Sequence, residues 1–296
     1  MRIVLGFGLG LESPLGARRP GAQGTGAADL SVSRTIHRER VLLAGWGRAI
    51  LLQLAHPMVA RGVAQHSAFT TEPWGWARRL HRTLGAMLAL TFGPDEAAAA
   101  AAARINAIHD RVHGRLDRAA GGEPAGAPYS AHDPELLAWV HATLLDSFLA
   151  AYRLFVGPLP GADADRYCAE ASAIEARLGI PAGRLPRTEV ALCAYLEAML
   201  AGGAIEVTDA ARALAREVLA PPVPYLLRPA LRLAALPTVG LLPPAIRAGY
   251  GLRWDARHTR ALAVVAAISR RGLPLMPPRL RYWAAARRAI RPRRPR

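Results

Sequence analysis

The sequence predicts an all-α protein, and three observations carry that expectation. Alanine dominates an apolar set that makes up 52% of the chain, and alanine is the strongest helix former. Apolar residues recur near a 3.6-residue period over long stretches, whereas no stretch of useful length alternates with the period of two that a half-buried strand requires. Continuous β-branched runs are few, and glycines and prolines fall where helices start and stop. The 296 residues suffice for one large domain or two small ones. Without any internal repeat, the pattern predicts a single multi-helix domain over 31–278. A Gly-rich flexible leader, 1–30, precedes it and a basic tail, 279–296, follows it.

From Glu39 to about Val63 the spacing of Val41, Leu42, Ala49, Leu52, Leu54 and Val59 is helical, and Pro57 should kink or divide that helix after His56. A second helix is predicted from Pro73 to Thr91, ended by Phe92-Gly93-Pro94. A third opens at Pro94, passes through the alanine run 97–103 and reaches Val112, with Gly114 placed to stop it. After a Gly- and Pro-rich loop, Asp133-Pro134-Glu135 supplies an N-cap and a first-turn proline for a helix to about Val156. Further helices are expected at about 162–178, 187–201 and 209–219, the last capped by Thr208. Proline density predicts short helices and turns over 221–251, and two final helices at about 256–271 and 278–289.

The formal net charge is +16, and all 38 cationic side chains are arginine, as replacement of lysine in a GC-rich genome would produce. Residues 279–296 hold eight arginines and no acid, half of the net charge. Such a tail can be a solvated run without a partner, can adhere weakly to an anionic membrane surface, or can bind nucleic acid without specificity. No zinc-finger spacing, RNP motif or aromatic-interleaved basic strand supports specific nucleic-acid recognition. Cys168 and Cys193 are too few for a disulfide scaffold and too far apart for a CxxC site, which fits a reduced, cytoplasmic chain. The apolar run Ile3–Leu11 meets Glu12 and no cleavage site, so no signal peptide is expected. Pro229, Pro237, Pro243 and Pro244 break the most apolar long region, so no spanning helix is expected there.

Seven of the nine histidines fall between 56 and 141. His109 and His113 are four apart on one predicted helix and so share a face. His56 precedes the kinking proline, His66 follows, and His141 sits mid-helix beside Trp139. A lone helical histidine is most often an ordinary core or surface residue. The His109-Asp110-Arg111-Val112-His113 run lacks the glutamate of a zinc protease, and no paired Glu-x-x-His motif marks a di-iron bundle. The dipeptides His109-Asp110 and His132-Asp133 resemble paired ligands of metal phosphohydrolases, a weak signal. Haem asks for less: one axial histidine, an apolar pocket and a few cations. From the residues alone, haem is one candidate among several.

The ordered segments Gly47-Arg48-Ala-Ile-Leu-Leu-Gln53-Leu-Ala-His56-Pro57, Gly62-Val-Ala-Gln-His66-Ser67-Ala-Phe69, Arg79-Leu-His-Arg82-Thr83 and His109 with Val112 and Gly114 resemble the rubber oxygenases (latex clearing proteins) and the mycophenolate-pathway oxygenases. So do Tyr129-Ser-Ala-His-Asp133-Pro134, Trp139-Val140-His141-Ala-Thr143, Gly179-Ile-Pro181, Leu185-Pro186 and the late run from Leu241 to Leu252. The resemblance spans about 35–255. It implies a globin-like helical core around haem b and dioxygen chemistry on a carbon–carbon double bond, with His109 as the proximal iron ligand and Arg79, Arg82 and Thr83 on the distal side. His56, His66, His113 and His141 are further candidates for the cofactor pocket.

Four departures qualify what is implied. Arg82 stands where rubber-cleaving members carry a lysine that can ligate iron, and a guanidinium is a poor metal ligand. His113 stands where relatives often carry arginine, and the acid proposed as a base in rubber cleavage has no match near Gly62–His66. The leader has no twin-arginine signal. An intracellular oxygenase acting on a small apolar, unsaturated molecule is therefore the expectation. The alternatives are a non-catalytic haem- or lipid-binding module of the same fold and a non-haem metal protein using His109, His113 and a further histidine.

Overall fold

A computed structural model describes residues 31–66, 75–221 and 225–290. Its elements are helical apart from one small hairpin. In chain order they are α1 (Val32–His37), α2 (Leu43–Leu54), α3 (Pro57–His66), α4 (Gly75–Phe92), α5 (Asp95–His109), β1 (His113–Arg115), β2 (Pro128–Ser130), α6 (Pro134–Phe155), α7 (Gly161–Ala171), α8 (Glu175–Leu178) and α9 (Glu189–Ala201). Then follow α10 (Asp209–Leu219), α11 (Arg228–Gly240), α12 (Pro244–Gly249), α13 (Ala256–Gly272), α14 (Pro278–Arg281) and α15 (Ala284–Ile290). None of the described helices is long and apolar enough to cross a membrane.

Local chemistry explains most of the starts. Asp133 accepts a hydrogen bond from the Glu135 amide and Pro134 occupies the first turn of α6. Thr188 and Thr208 cap α9 and α10 through their hydroxyls. Asp255 and His258 close a capping box on α13. The Glu170 carboxylate accepts from Val32 N and Ser33 N at 3.0 and 2.8 Å, placing a negative charge on the positive end of α1. Pro57 begins α3 after a two-residue break at Ala55–His56, so the expected kink is a full division.

The core is organised on α6, whose 22 residues are mostly buried, with Trp139, Leu144, Leu145, Phe148 and Phe155 inaccessible. Helix α2 lies along it, and Gly45 sets how closely. A Cβ there would stand 2.8 Å from the Ser147 carbonyl oxygen. Gly47 plays the same part against α11, where a Cβ would meet Thr238. Arg48 spans this seam: Nε donates to the Leu241 carbonyl at 2.6 Å, one amine donates to Ser147 Oγ at 2.8 Å, and the other pairs with Asp146 at 2.6 Å.

Several expectations are corrected. Helix α5 ends at His109 rather than Val112, and Pro94 precedes it as the N-cap. Residues 113–115 instead pair antiparallel with 128–130 in the register His113↔Ser130, Gly114↔Tyr129 and Arg115↔Pro128. Three-residue strands are too short to leave a period in the sequence. The helix expected at 162–178 is interrupted by a 3₁₀ turn at Ser172–Ile174, and the last helix is split where extended Tyr282 bridges Glu39. Part of the basic 279–296 segment is thereby docked. Arg281 is bidentate on Glu39, which is 1% exposed, at 2.7 and 2.9 Å.

Candidate active-site cavity

Four elements leave a small apolar cleft between them: α3, the end of α5, β2 and the first turns of α6. His109, Met58, Val63, Val112, Tyr129 and Val140 are among its walls, and its free volume is about 60 Å³. The sequence positions these side chains through the breaks already described. Pro57 starts α3 so that Met58 and Val63 face inward, and the end of α5 at His109 turns the chain so that Val112 and the β2 tyrosine close the opposite side.

His109 is 7% exposed, and its Nδ1 is buried without a hydrogen-bond partner. Burial pulls its pKa down to about 4, with neighbouring His132 lowering it further and Asp110 opposing. The two imidazoles meet edge to face with centroids 5.7 Å apart, and His132 Nε2 lies 2.8 Å from Asp110 Oδ1. At neutral pH His109 is thus an uncharged imidazole on an apolar wall, the form in which a histidine binds a metal. Across the cleft, Gln65 lies between the Tyr129 hydroxyl and Arg61, its amide oxygen facing the guanidinium at 2.7 Å. Arg61 is paired in turn with Asp117 at 3.2 Å. Gly114 makes this possible, since a Cβ there would collide with Tyr129 and Gln65.

The remaining sequence candidates are dispersed. His113 lies on β1, exposed and off the face of His109, because the helix does not continue to it. His141 is 3% exposed in the middle of α6, its pKa pulled to about 3 by burial, its Nε2 unpartnered. His56 is lowered to about 4 by burial against the opposing charge of Asp133, and its Nδ1 accepts from Met58 N at 3.3 Å. His66 Nδ1 stands 3.1 Å from the Gly62 carbonyl at the end of α3. On α4, Arg82 is exposed and Thr83 buried, and neither is among the cleft's walls; the Arg79 side chain lies outside the described residues. Among the described residues no three His, Cys, Asp or Glu side chains gather as metal ligands, so His109, His113 and a third histidine are not brought together. Met58 left no signal in the sequence, and Gln65 and Tyr129 stood there only inside runs that carry the resemblance.

For an axial haem ligand the donor chemistry fits: a neutral, buried imidazole with an unpartnered nitrogen beside apolar side chains. The free volume does not by itself seat a porphyrin, because 60 Å³ is far below the several hundred Å³ of a typical cofactor pocket. The larger cleft between α4 and α15, about 630 Å³, carries Arg34, Phe92 and Arg288 but no His or Cys among its described walls, so it does not compete as an iron site.

The described domain is helical apart from one hairpin, and a neutral, buried histidine lies on the wall of its apolar cleft. Residues 33–271 match the model of the family described as ER-bound oxygenase mpaB/B'/Rubber oxygenase, catalytic domain, and the chain belongs to that family of oxygenase catalytic domains. No curated protein and no solved structure matches it.

Proposed function

We propose that this chain is a haem b-dependent oxygenase that acts with dioxygen on a small apolar, unsaturated substrate, with His109 as the proximal iron ligand. The observation that supports the reading is His109 itself, buried and neutral on the wall of the apolar cleft; the resemblance puts it at the family's ligand position, where its Nε2 would bind the iron. When bound, haem b supplies the redox-active iron at which dioxygen is reduced.

The protein's own part is to hold and to exclude. Desolvation keeps a proton off His109 down to acidic pH, so the lone pair stays available. Met58, Val63, Val112 and Val140 favour an apolar substrate and keep water scarce. Tyr129, held by Gln65 and Arg61, is one of the lining residues whose hydroxyl can donate a proton or a hydrogen bond. By the resemblance Arg79, Arg82 and Thr83 would stand on the distal side, although Arg82 and Thr83 are not among the walls of the cleft, and Arg82 could not ligate iron as a lysine would. Seating the ring requires the cleft walls to part around it.

Protein purified from haem-supplied cells should carry about one haem b per chain, read from its Soret band, and should consume dioxygen with an alkene. A colourless protein that rejects added haemin would overturn the reading. The second reading, a haem-binding module that has lost its chemistry, is favoured by one observation: Arg82, in the place of the ligating lysine, is exposed. Haem bound without any dioxygen consumption would support it.

A further inference from the structure

The outer side of α13 is an interaction surface that the oxygenase reading leaves unused. At helical spacing, Arg257, Arg260, Ala261, Val264, Ile268 and Arg271 occupy one side of the helix, all exposed, while Leu262 and Ala266 on the opposite side are buried. The stripe is apolar at its centre, with Val264 57% and Ile268 66% exposed, and is cationic at both ends. Just beyond the helix, Leu275 is 85% and Leu280 52% exposed. Between Ala256 and Arg296 the chain carries twelve arginines and no acid.

The surface is held rigidly from behind. Arg270 donates to the carbonyls of Leu154 and Arg153 at 2.9 and 2.7 Å, tying α13 to the end of α6. Arg281 on Glu39 fixes the segment that follows. The exposed leucines are therefore carried on an anchored element.

We propose that the outer side of α13, extended by Leu275 and Leu280, docks on an anionic phospholipid bilayer. Apolar side chains framed by arginines suit the boundary between headgroups and acyl chains, where guanidinium groups reach phosphate while their stems stay in the apolar layer. Anionic headgroups complement an acid-free stretch. A second copy of this chain would set two arginine-rich, acid-free stripes against each other, a like-charge contact. Nucleic acid would match the arginines but would leave Val264 and Ile268 in water. The proposal does not depend on haem or on turnover.

The test is co-sedimentation of the full-length protein with vesicles of phosphatidylglycerol and phosphatidylcholine, or of phosphatidylcholine alone, at about 0.1 M salt, where exposed charges are screened beyond roughly 10 Å. The wild type should bind the mixed vesicles and not the neutral ones. Val264→Asp with Ile268→Asp, both at exposed positions, should lower partition at least tenfold with an unchanged circular dichroism spectrum. Arg260→Gln and Arg271→Gln should each lower it about fivefold, the factor for one arginine near an anionic surface. Indifference of the wild type to anionic vesicles would overturn the proposal. So would unchanged binding by the aspartate variants, which would assign adhesion to the last arginines alone. Conversion of a dimer to a monomer by the same variants, without a change in vesicle binding, would assign the stripe to a second copy.

Discussion

Where α1 meets α7, His37 is 1% exposed and its Nε2 meets the Tyr167 hydroxyl at 2.9 Å; at the end of α5, His109 is nearly as buried and its Nδ1 meets nothing. Both imidazoles are neutral for the same reason, burial, which lowers His37 to about 3 and His109 to about 4. The difference lies in what surrounds them. His37 is enclosed by Phe148 at 4.8 Å and by Tyr167, a packed contact in which every neighbour is protein. His109 faces a cleft. A histidine whose polar atom is satisfied belongs to the fold, whereas one that lines a cleft and holds a buried, unpartnered nitrogen carries a cost that packing alone does not explain. His141 is the informative intermediate, unpartnered like His109 but outside the walls of the cleft.

The largest effects are expected in the packed region. Phe148→Ala should destabilise by about 3–5 kcal/mol, because it empties a fully buried site against both His37 and Trp46. Urea unfolding checks this, and the cleft variant Met58→Ala should cost less because its side chain already borders free space. A cost for Met58→Ala equal to that of Phe148→Ala would erase the distinction between the two regions.

Removing residues 279–296 should also destabilise, by about 3 kcal/mol, since it strips Glu39 of its buried partner Arg281. Removing only 291–296 should leave the unfolding midpoint unchanged. Equal midpoints for the two truncations would show that the Arg281–Glu39 pair does not hold the chain's end in place.

Acid should act on both regions, reaching furthest at His37. His37 has a folded pKa of about 3 against an ordinary value near 6.5, so the unfolded chain binds the extra proton between them. Its stabilising contribution is complete above pH 6.5 and is lost progressively as pH falls toward 3, with a slope of up to about 1.4 kcal/mol per pH unit. His37→Phe should therefore flatten the acid limb of a stability–pH curve, at a loss of about 1–3 kcal/mol at pH 7 from the stranded Tyr167 hydroxyl. An unaltered acid limb would contradict a buried neutral His37.

Glycines give the smallest contrast. Gly45→Ala must push α2 off Ser147 and should cost about 1–3 kcal/mol, while Gly85→Ala on α4, where a Cβ meets nothing within 4 Å, should stabilise by about 0.5–1 kcal/mol. Thermal midpoints moving in the same direction would contradict the close approach of α2 to α6.

What was legible in the sequence follows from the range of the interactions. Pro57, Asp133-Pro134 and Thr208 act within a few residues, so the breaks and starts they cause could be read directly. The hairpin could not, because Gly114 finds Tyr129 across a loop and three residues carry no period. That hidden pairing is what ended α5 early and moved His113 away from His109. Glu39 and Arg281 are 242 positions apart, so nothing in the sequence could mark the tail as docked. The cleft was legible only through the resemblance, which singled out His109. Its apolar walls come from separate elements whose meeting is a tertiary fact.

The contrast between a satisfied and an available histidine is tested most directly by the Soret absorbance of three proteins purified side by side from haem-supplied cells. Wild type and His141→Ala should retain about one haem per chain, and His109→Ala should lose it while keeping its helical circular dichroism. Retention of haem by folded His109→Ala together with its loss from folded His141→Ala would contradict the account and move the iron ligand to the middle of α6.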